Sequence, residues 1–589
     1  MATPPATEPA AGRWPAMSLA EAHRTLTAPG SPFETEERMI RGVPLRVWKN
    51  APASTREALR AARGFGDRTF LVYGEERVSF EAFYRATATF ADQLVARGLR
   101  KGDRVAIAMR NLPEWAVTFY GASAAGAIVT PLNAWWTVDE LAYGLADSGA
   151  RFAVVDEERF LRLQPVLHDL PLETCFVARA TRTPAGRWPR LEDAIGPVAG
   201  WADLPVRPLP DVELLPEDDA TIFYTSGTTG SPKGAVATHR NMLSNIVGAA
   251  CANARTFLRR GEALPVPDPH APQPAALVTV PLFHVTGCFA ILSPALAAGM
   301  KLVLMRRWEP EEAMRLIEAE RLTAITGVPT IAWQLVEHPA RDHYDLSSLK
   351  GLGYGGAAAA PELMRRIGET LPHAAAGHGW GMTETSALAT SHSAEDYAHR
   401  PDSCGPPVPV TDLKIMASDA QTELPLGEVG ELWARGPQVV RGYWNKPEET
   451  ARTFVDGWVR TGDLARLDAE GFLYIVDRAK DMLIRGGENI YCVEVENALY
   501  EHPAVVDAAV VGIAHRTLGE EPAAVVTLKP GARASQEELR AHVAGRLAAY
   551  KTPVVVRFSS EPLPRNANGK ILKDELRKLF VEPAAIAPS

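Results

Sequence analysis

Two rhythms of apolar and polar positions alternate along most of this chain. Phe70-Leu71-Val72-Tyr73 is a short apolar run that predicts a buried strand, and Ser79 then caps a helix whose apolar positions Phe80, Phe83, Phe90 and Leu94 share one face. Gly98 stops that helix. Val105 to Met109 predicts a strand, Pro113 opens a helix, and Ala127 to Leu132 and Arg151 to Asp156 predict further strands, the helix between them boxed by Thr137 and Glu140. Strands spaced by helices imply parallel sheet covered on its faces. Residues 180 to 216, rich in Pro, Arg and Trp, predict an irregular excursion, and the proline-rich stretch from Arg259 to Pro274 an exposed loop. Alternation resumes at Ala276 to Val280, Lys301 to Met305 and Leu322 to Gly327, and turns more antiparallel by Glu431 to Arg435.

Near Asp477 the pattern changes. Short helices and strands mix (Val493 to Tyr500, Val505 to Ile513, Ala523 to Leu528, Val554 to Phe558), with one helix capped by Ser535 and Glu538. The reading is an α/β protein: a large N-terminal domain with parallel-rich sheets flanked by helices over residues 31–477, and a small α+β C-terminal domain over 478–580. Residues 1–30, lacking a basic region followed by an apolar core, read as a disordered tail rather than a signal peptide, and 581–589 as a second tail. A chain of 589 residues is too long for one core.

Composition narrows the partners. Lys and Arg number 62 against 71 Asp and Glu, a net charge of −9, which offers no general footprint for nucleic acid or an anionic membrane. The five cysteines are scattered with no CxxC pair, which suits a reducing cytoplasm. The longest uncharged run, Trp115 to Thr137, is broken by Gly, Pro, Ser and Asn and reads as buried helix plus strand, so no transmembrane segment is expected.

The stretch that concentrates chemistry is Tyr224-Thr225-Ser226-Gly227-Thr228-Thr229-Gly230-Ser231-Pro232-Lys233-Gly234. Glycines turn backbone N–H groups toward an anion, hydroxyls add donors, and lysine adds a mobile charge, which together suit a polyphosphate. A Walker loop needs Gly-Lys followed by Ser or Thr, and here Pro232 precedes Lys233 and Gly234 follows it. The stretch instead closely resembles the phosphate-binding loop of adenylate-forming (AMP-binding) enzymes, the superfamily of acyl-CoA synthetases, firefly-type luciferases and peptide-synthetase adenylation domains.

The resemblance continues in order from about residue 50 to 575, and it implies roles. Thr225, Ser226, Gly227, Thr228, Thr229, Gly230 and Lys233 would hold the outer phosphates of ATP. His284, at the end of Pro281-Leu282-Phe283-His284, would lie beside the acyl carboxylate; amino-acid-activating relatives carry an Asp after the Phe, and its absence argues against an amino-acid substrate. Gly356 and Ala357 of Gly353-Tyr354-Gly355-Gly356-Ala357 would pack the adenine. In Gly379-Trp380-Gly381-Met382-Thr383-Glu384, Trp380 would flank that ring, Thr383 reach the α-phosphate and Glu384 hold Mg²⁺. Asp463 would take the ribose hydroxyls and Arg478 make a second nucleotide contact. Lys480 is the hinge position about which the family turns its small domain between half-reactions. Gly486 and Gly487 would then face the thiol of CoA, and no insertion between Arg478 and Glu494 points away from thioester formation. Lys570, in Pro564-Arg565-Asn566-Ala567-Asn568-Gly569-Lys570, would be the mobile catalytic lysine.

The implied activity is a ligase using ATP, Mg²⁺ and CoA to convert a small carboxylic acid to acyl-CoA, AMP and pyrophosphate. Thr286, Gly287, Cys288 and Ala290, with Ala357 to Ala360, imply a roomy apolar pocket. That favours a fatty acid, with an aryl acid or a luciferase-like oxygenase as the alternatives. A homodimer is compatible with the family.

Overall fold

The helix Pro113–Ala124 is buried along every face, and it explains the arrangement of the large domain. It packs against Phe80–Ala96, where a Cβ on Gly121 would come within 2.9 Å of Phe90. Trp115 and Phe119 stack at 5.3 Å between ring centroids in the layer between two sheets. Such an all-round apolar helix has no solvent side, so sheets must cover it. The structure, a computed structural model, describes residues 14–580 apart from 185–186, 226–231, 267, 269, 358 and 567–568.

The first sheet has six strands in the order Lys233–Thr238, Asp219–Thr225, Ile128–Pro131, Arg104–Ala108, Phe152–Asp156, Thr174–Ala178, parallel except for Lys233–Thr238 at its edge. The second has eight, in the order Thr390–Ser393, Ala375–Trp380, Gly351–Gly355, Ala324–Gly327, Ala275–Val278, Lys301–Leu304, Thr69–Tyr73, Glu76–Ser79, with antiparallel partners only at its two edges. A third, antiparallel sheet of five strands runs from Asp412–Met416 to Leu473–Arg478. The chain ends in a small mixed sheet, with Gly519–Leu528 at its centre, Val505–His515 along one edge and the helices Cys492–Tyr500 and Gln536–Ala544 against it.

The fold class is the expected one. The expected tail is not: the chain is helical over Leu19–Leu26, with Ser18 and Glu21 forming a capping box and Leu19, Ala22 and Leu26 buried. This helix packs on His239–Arg259. The expected tails over residues 1–13 and 581–589 lie outside the described residues. The hairpin Thr35–Ile40 with Val43–Trp48 also went unpredicted.

The small sheet meets the large domain along a thin seam. Trp333 stacks on Tyr500 with centroids 6.2 Å apart, and Lys529 Nζ lies 3.5 Å from a Glu337 oxygen. Gly569 has φ +77° and abuts Val328, which lies 2.7 Å from where a Cβ would be. Among the described residues no helix is long and apolar enough to cross a membrane.

Candidate functional site

One cavity of about 860 Å³ lies where the parallel strands of the second sheet end, bounded by the third sheet and the small domain. Thr225, Lys233, His284, Gly356, Gly379, Trp380, Gly381, Thr383, Glu384, Arg478, Lys480 and Lys570 all line it. Its wall carries six cationic side chains against two carboxylates, a balance suited to a polyphosphate.

Glu384 is set by a turn that only glycine permits. A Cβ at Gly381 would stand 1.4 Å from the Ala387 carbonyl oxygen, and Ser386 and Ala387 take positive φ. The helix His239–Arg259 braces that turn: Asn245 Oδ1 accepts from Leu388 N at 2.7 Å, and Asn241 Nδ2 donates to the Pro437 and Val439 carbonyls. The braced segment brings Tyr443 to the site. Its hydroxyl donates to Glu384 Oε1 at 2.6 Å, and Lys233 Nζ sits 5.3 Å from its ring centroid. Burial and then the neighbouring Glu384 charge raise the Tyr443 phenol, so it remains a donor.

Asp463 and Arg478 face each other across two antiparallel strands. Arg478 Nε is 2.9 Å from Asp463 Oδ1, and Trp380 Nε1 donates to Oδ2 at 2.8 Å. Two partners leave acceptor capacity on this buried carboxylate for a pair of hydroxyls.

His284 ends a loop that Asn111 holds from the neighbouring unit, through the Val280 carbonyl at 3.0 Å and Leu282 N at 2.9 Å. The chain must return tightly, since a Cβ at Gly287 would meet the Pro281 carbonyl oxygen at 2.2 Å. The segment that follows, Thr286–Leu292, is a π-helix. Thr286 N donates to His284 Nδ1 at 3.3 Å, which places the ring proton on Nε2, with no hydrogen-bond partner among the described residues. Burial, and then the Lys570 charge, pushes the imidazole down to about 4, so it is neutral at pH 7.

Lys570 arrives from the small domain on a turn in which its own N donates to Asn566 Oδ1 and Arg565 Nη1 donates to the Gly569 carbonyl at 2.7 Å. Arg565 is pinned by Asp507 at 2.6 Å, which also accepts from Tyr500 Oη at 2.8 Å. Burial and then Arg478 push the Lys570 ammonium down to about 8, with Asp463 and Glu384 pulling it back up. Among the described residues the ammonium has no ion-pair partner.

Not every expected residue joins this group. Ser226, Gly227, Thr228, Thr229 and Gly230 lie outside the described residues. Ala357 and Asp463 do not line the cavity, although adjacent Gly356 and Gly462 do. Gly486 and Gly487 form the exposed turn of the hairpin Leu483–Arg485 with Glu488–Ile490, away from the cavity in this pose. Tyr443 was missed altogether. Its neighbours Arg441-Gly442 and Trp444 carry no compositional signal, and only the pairing of distant segments brings it to Glu384.

The residues fit ATP and Mg²⁺. Among the described residues no group of three or more His, Cys, Asp and Glu side chains could enclose a metal. A lone oriented carboxylate is the donor set expected for a Mg²⁺ ion that keeps waters and phosphate oxygens.

Comparison with known proteins agrees with this geometry. Residues 59–444 match the model of the AMP-binding enzyme family, and residues 494–570 that of the AMP-binding enzyme C-terminal domain. A feruloyl-CoA synthase from Amycolatopsis sp. is 37% identical over 523 residues, covering 89% of this chain and 98% of its own. A long-chain-fatty-acid–CoA ligase from Bacillus subtilis is 34% identical over 535 residues, covering 88% and 92%. Among solved structures, the o-succinylbenzoate CoA synthetase of Bacillus subtilis in complex with its acyl-adenylate intermediate superposes with a TM-score of 0.72 at 29% identity, over 89% of this chain and 98% of that one. With 89% of its length spanned in this way and its charged groups gathered in one cleft, the chain belongs to the AMP-binding enzyme family.

Proposed function

We propose that this protein is an acid–thiol ligase that activates a carboxylic acid with ATP and transfers the acyl group to CoA. The observation that carries the reading is the placement of Lys570, from the small domain, in the same cavity as His284, Thr383, Glu384 and Arg478 of the large one. A carboxylate oxygen attacks the α-phosphorus of ATP and pyrophosphate leaves; the CoA thiolate then attacks the acyl carbon and AMP leaves. Making the adenylate turns a poor leaving group into a good one, and no protein nucleophile is required.

The chain positions charge. Lys233 and the loop from Thr225 hold the outer phosphates. Thr383 donates to the α-phosphate, Asp463 accepts from the ribose, Arg478 contacts the nucleotide, and Trp380 and Gly356 flank the adenine. Neutral His284 donates its Nε2 proton beside the carboxylate of the acid. Lys570 neutralises charge developing between that carboxylate and the α-phosphate. Glu384, oriented by Tyr443, would hold Mg²⁺, which supplies Lewis-acid charge neutralisation when bound.

The domain limits 31–477 and 478–580 belong to this reading. Leu473–Arg478 is the last strand of the third sheet and Leu483–Arg485 the first of the small one, with Lys480 between them at the hinge. Turning about Lys480 would carry Lys570 out and bring Gly486 and Gly487 toward the cavity for the thiol step. Five free, buried cysteines suit a reducing cytoplasm.

The test is acid-dependent pyrophosphate release from ATP, followed by CoA-dependent release of AMP. Pyrophosphate release with no CoA-dependent acyl transfer from any acid would leave an adenylating enzyme of another kind.

A further inference from the structure

The end of the second sheet has a floor almost without side chains. Thr326, Gly353, Gly377 and Ser393 are paired in register across four strands, and Gly355, Gly379 and Ser391 form the next row on the same face. All six glycine and serine positions are half-buried, whereas Leu352, Tyr354, His378 and His392, on the opposite face, are buried. Both rows line the cavity that holds His284 and Lys570.

The backbone does not demand a glycine at Gly353. Its φ is not positive, and a Cβ there would meet nothing nearer than Thr326 Oγ1 at 3.3 Å. Gly355 and Gly379 in the second row, by contrast, are required by carbonyl oxygens at 2.7 and 2.8 Å, as Gly381 and Gly287 are at 1.4 and 2.2 Å. A strand glycine that packing does not require marks close approach of something else.

The facing wall is one side of the helix His239–Arg259. Ala249, Ala252 and Asn253 line the cavity, and Thr256 follows on the same face. Thr256 Oγ1 lies 3.4 Å from Ser393 Oγ and closes that end with a pair of hydroxyls. Ser391 Oγ has no hydrogen-bond partner among the described residues. The result is a slot: a flat floor about 10 Å across three strands and about 7 Å along them, a ceiling of alanines, and hydroxyls on the outermost strand.

Resting on the ligase reading above, we infer that the acid is a planar ring acid, of the aryl or arylalkenoic type, bearing a hydrogen-bonding ring substituent that reaches Ser391 and Ser393. A saturated chain is round in section and gains most when branched side chains enclose it, which a bare backbone floor does not do. A ring lies flat on peptide planes over its whole face. The hydroxyl of Ser391 discriminates further, because a purely hydrocarbon acid would leave it unpaired, whereas Ser393 already has Thr256 as a partner.

The experiment compares three acids of nine carbons, nonanoate, 3-phenylpropenoate and 3-(4-hydroxyphenyl)propenoate, by kcat/KM for pyrophosphate release. Their affinities are measured in parallel by calorimetry, in the presence of a non-hydrolysable ATP analogue. Both ring acids should exceed nonanoate at least tenfold, with the hydroxylated acid foremost. Gly353→Ala, checked for an unchanged melting temperature, should cut the ring-to-chain ratio at least tenfold, and Gly353→Val should cut it further. Ser391→Ala should remove the advantage of the hydroxylated ring over the bare one. Nonanoate equal to or better than the ring acids overturns the inference and leaves the ligase standing, as does an unchanged ratio in both Gly353 variants. If no acid elicits pyrophosphate release, the ligase reading fails and takes this inference with it.

Discussion

Lys570 offers the sharpest test, because its charge is held at a disadvantage. Its ammonium falls from 10.5 to about 8 in the closed pose, which corresponds to about 3 kcal/mol against the charged form at neutral pH. An opened lid would return it to water and to its ordinary value. Between pH 8 and 10.5 the open form therefore binds more protons, and closure of the empty lid becomes more favourable as pH rises through that window. Nucleotide reverses the preference, since phosphate oxygens favour the charged lysine. The assay is adenylation alone, followed as pyrophosphate release with hydroxylamine trapping the acyl adenylate and no CoA present. Its kcat/KM for ATP should fall above a midpoint well below 10.5, near 8, with a slope of one proton. Lys570→Arg, whose guanidinium stays charged, should push that limb beyond pH 10. Lys570→Ala should cost about 2–4 kcal/mol in the adenylation barrier at pH 7 while sparing thioester formation from supplied acyl-AMP. A wild-type limb in Lys570→Arg, or equal slowing of both half-reactions in Lys570→Ala, would refute the role given to Lys570.

Four further outcomes follow from the same geometry. Asp463→Asn removes the charge opposite Arg478 at 2.9 Å, and the ATP concentration for half-saturation should rise by about 2–3 kcal/mol equivalent, roughly 30- to 150-fold, in a titration of pyrophosphate release. Tyr443→Phe deletes the 2.6 Å hydrogen bond to Glu384, and should raise the Mg²⁺ requirement about tenfold with little change in melting temperature; an unchanged Mg²⁺ curve would remove Tyr443 from the metal's support. Gly381→Ala drives a methyl group into the Ala387 carbonyl, and chemical denaturation should register a loss above about 4 kcal/mol or no folded protein at all. Lys480→Pro stiffens the hinge, and stopped-flow measurement should find thioester formation from supplied acyl-AMP slowed at least tenfold while adenylation persists.

Much of the fold lay open in the chain because helix caps and apolar spacing are local. Ser79, Thr137 and Ser535 cap the helices they were expected to cap. The same logic could have found the first helix, since Ser18 and Glu21 stand in capping-box spacing, but the proline- and alanine-rich surroundings masked it. The hairpin Thr35–Trp48 was hidden for another reason: it pairs only with itself, and its first strand, Thr35–Ile40, has no buried residue. At the site, residues in compact motifs such as Trp380 and Glu384 were legible, while Tyr443 and the floor at Gly353, Gly377 and Ser393 were not. Register between strands far apart in sequence decides which positions share a row, and no single motif encodes it.

The seam between the domains has a consequence for turnover. A displaced aromatic pair such as Trp333 on Tyr500 contributes about 1 kcal/mol, and a partly exposed ion pair such as Lys529 with Glu337 no more. Tyr500 is also tied through Asp507 and Arg565 to the turn that carries Lys570, so losing the stack and withdrawing the lysine are one movement. Trp333 is thus a natural optical gauge: its emission should brighten or dim at each swing of the lid, so the two chemical stages could be timed in unlabelled protein.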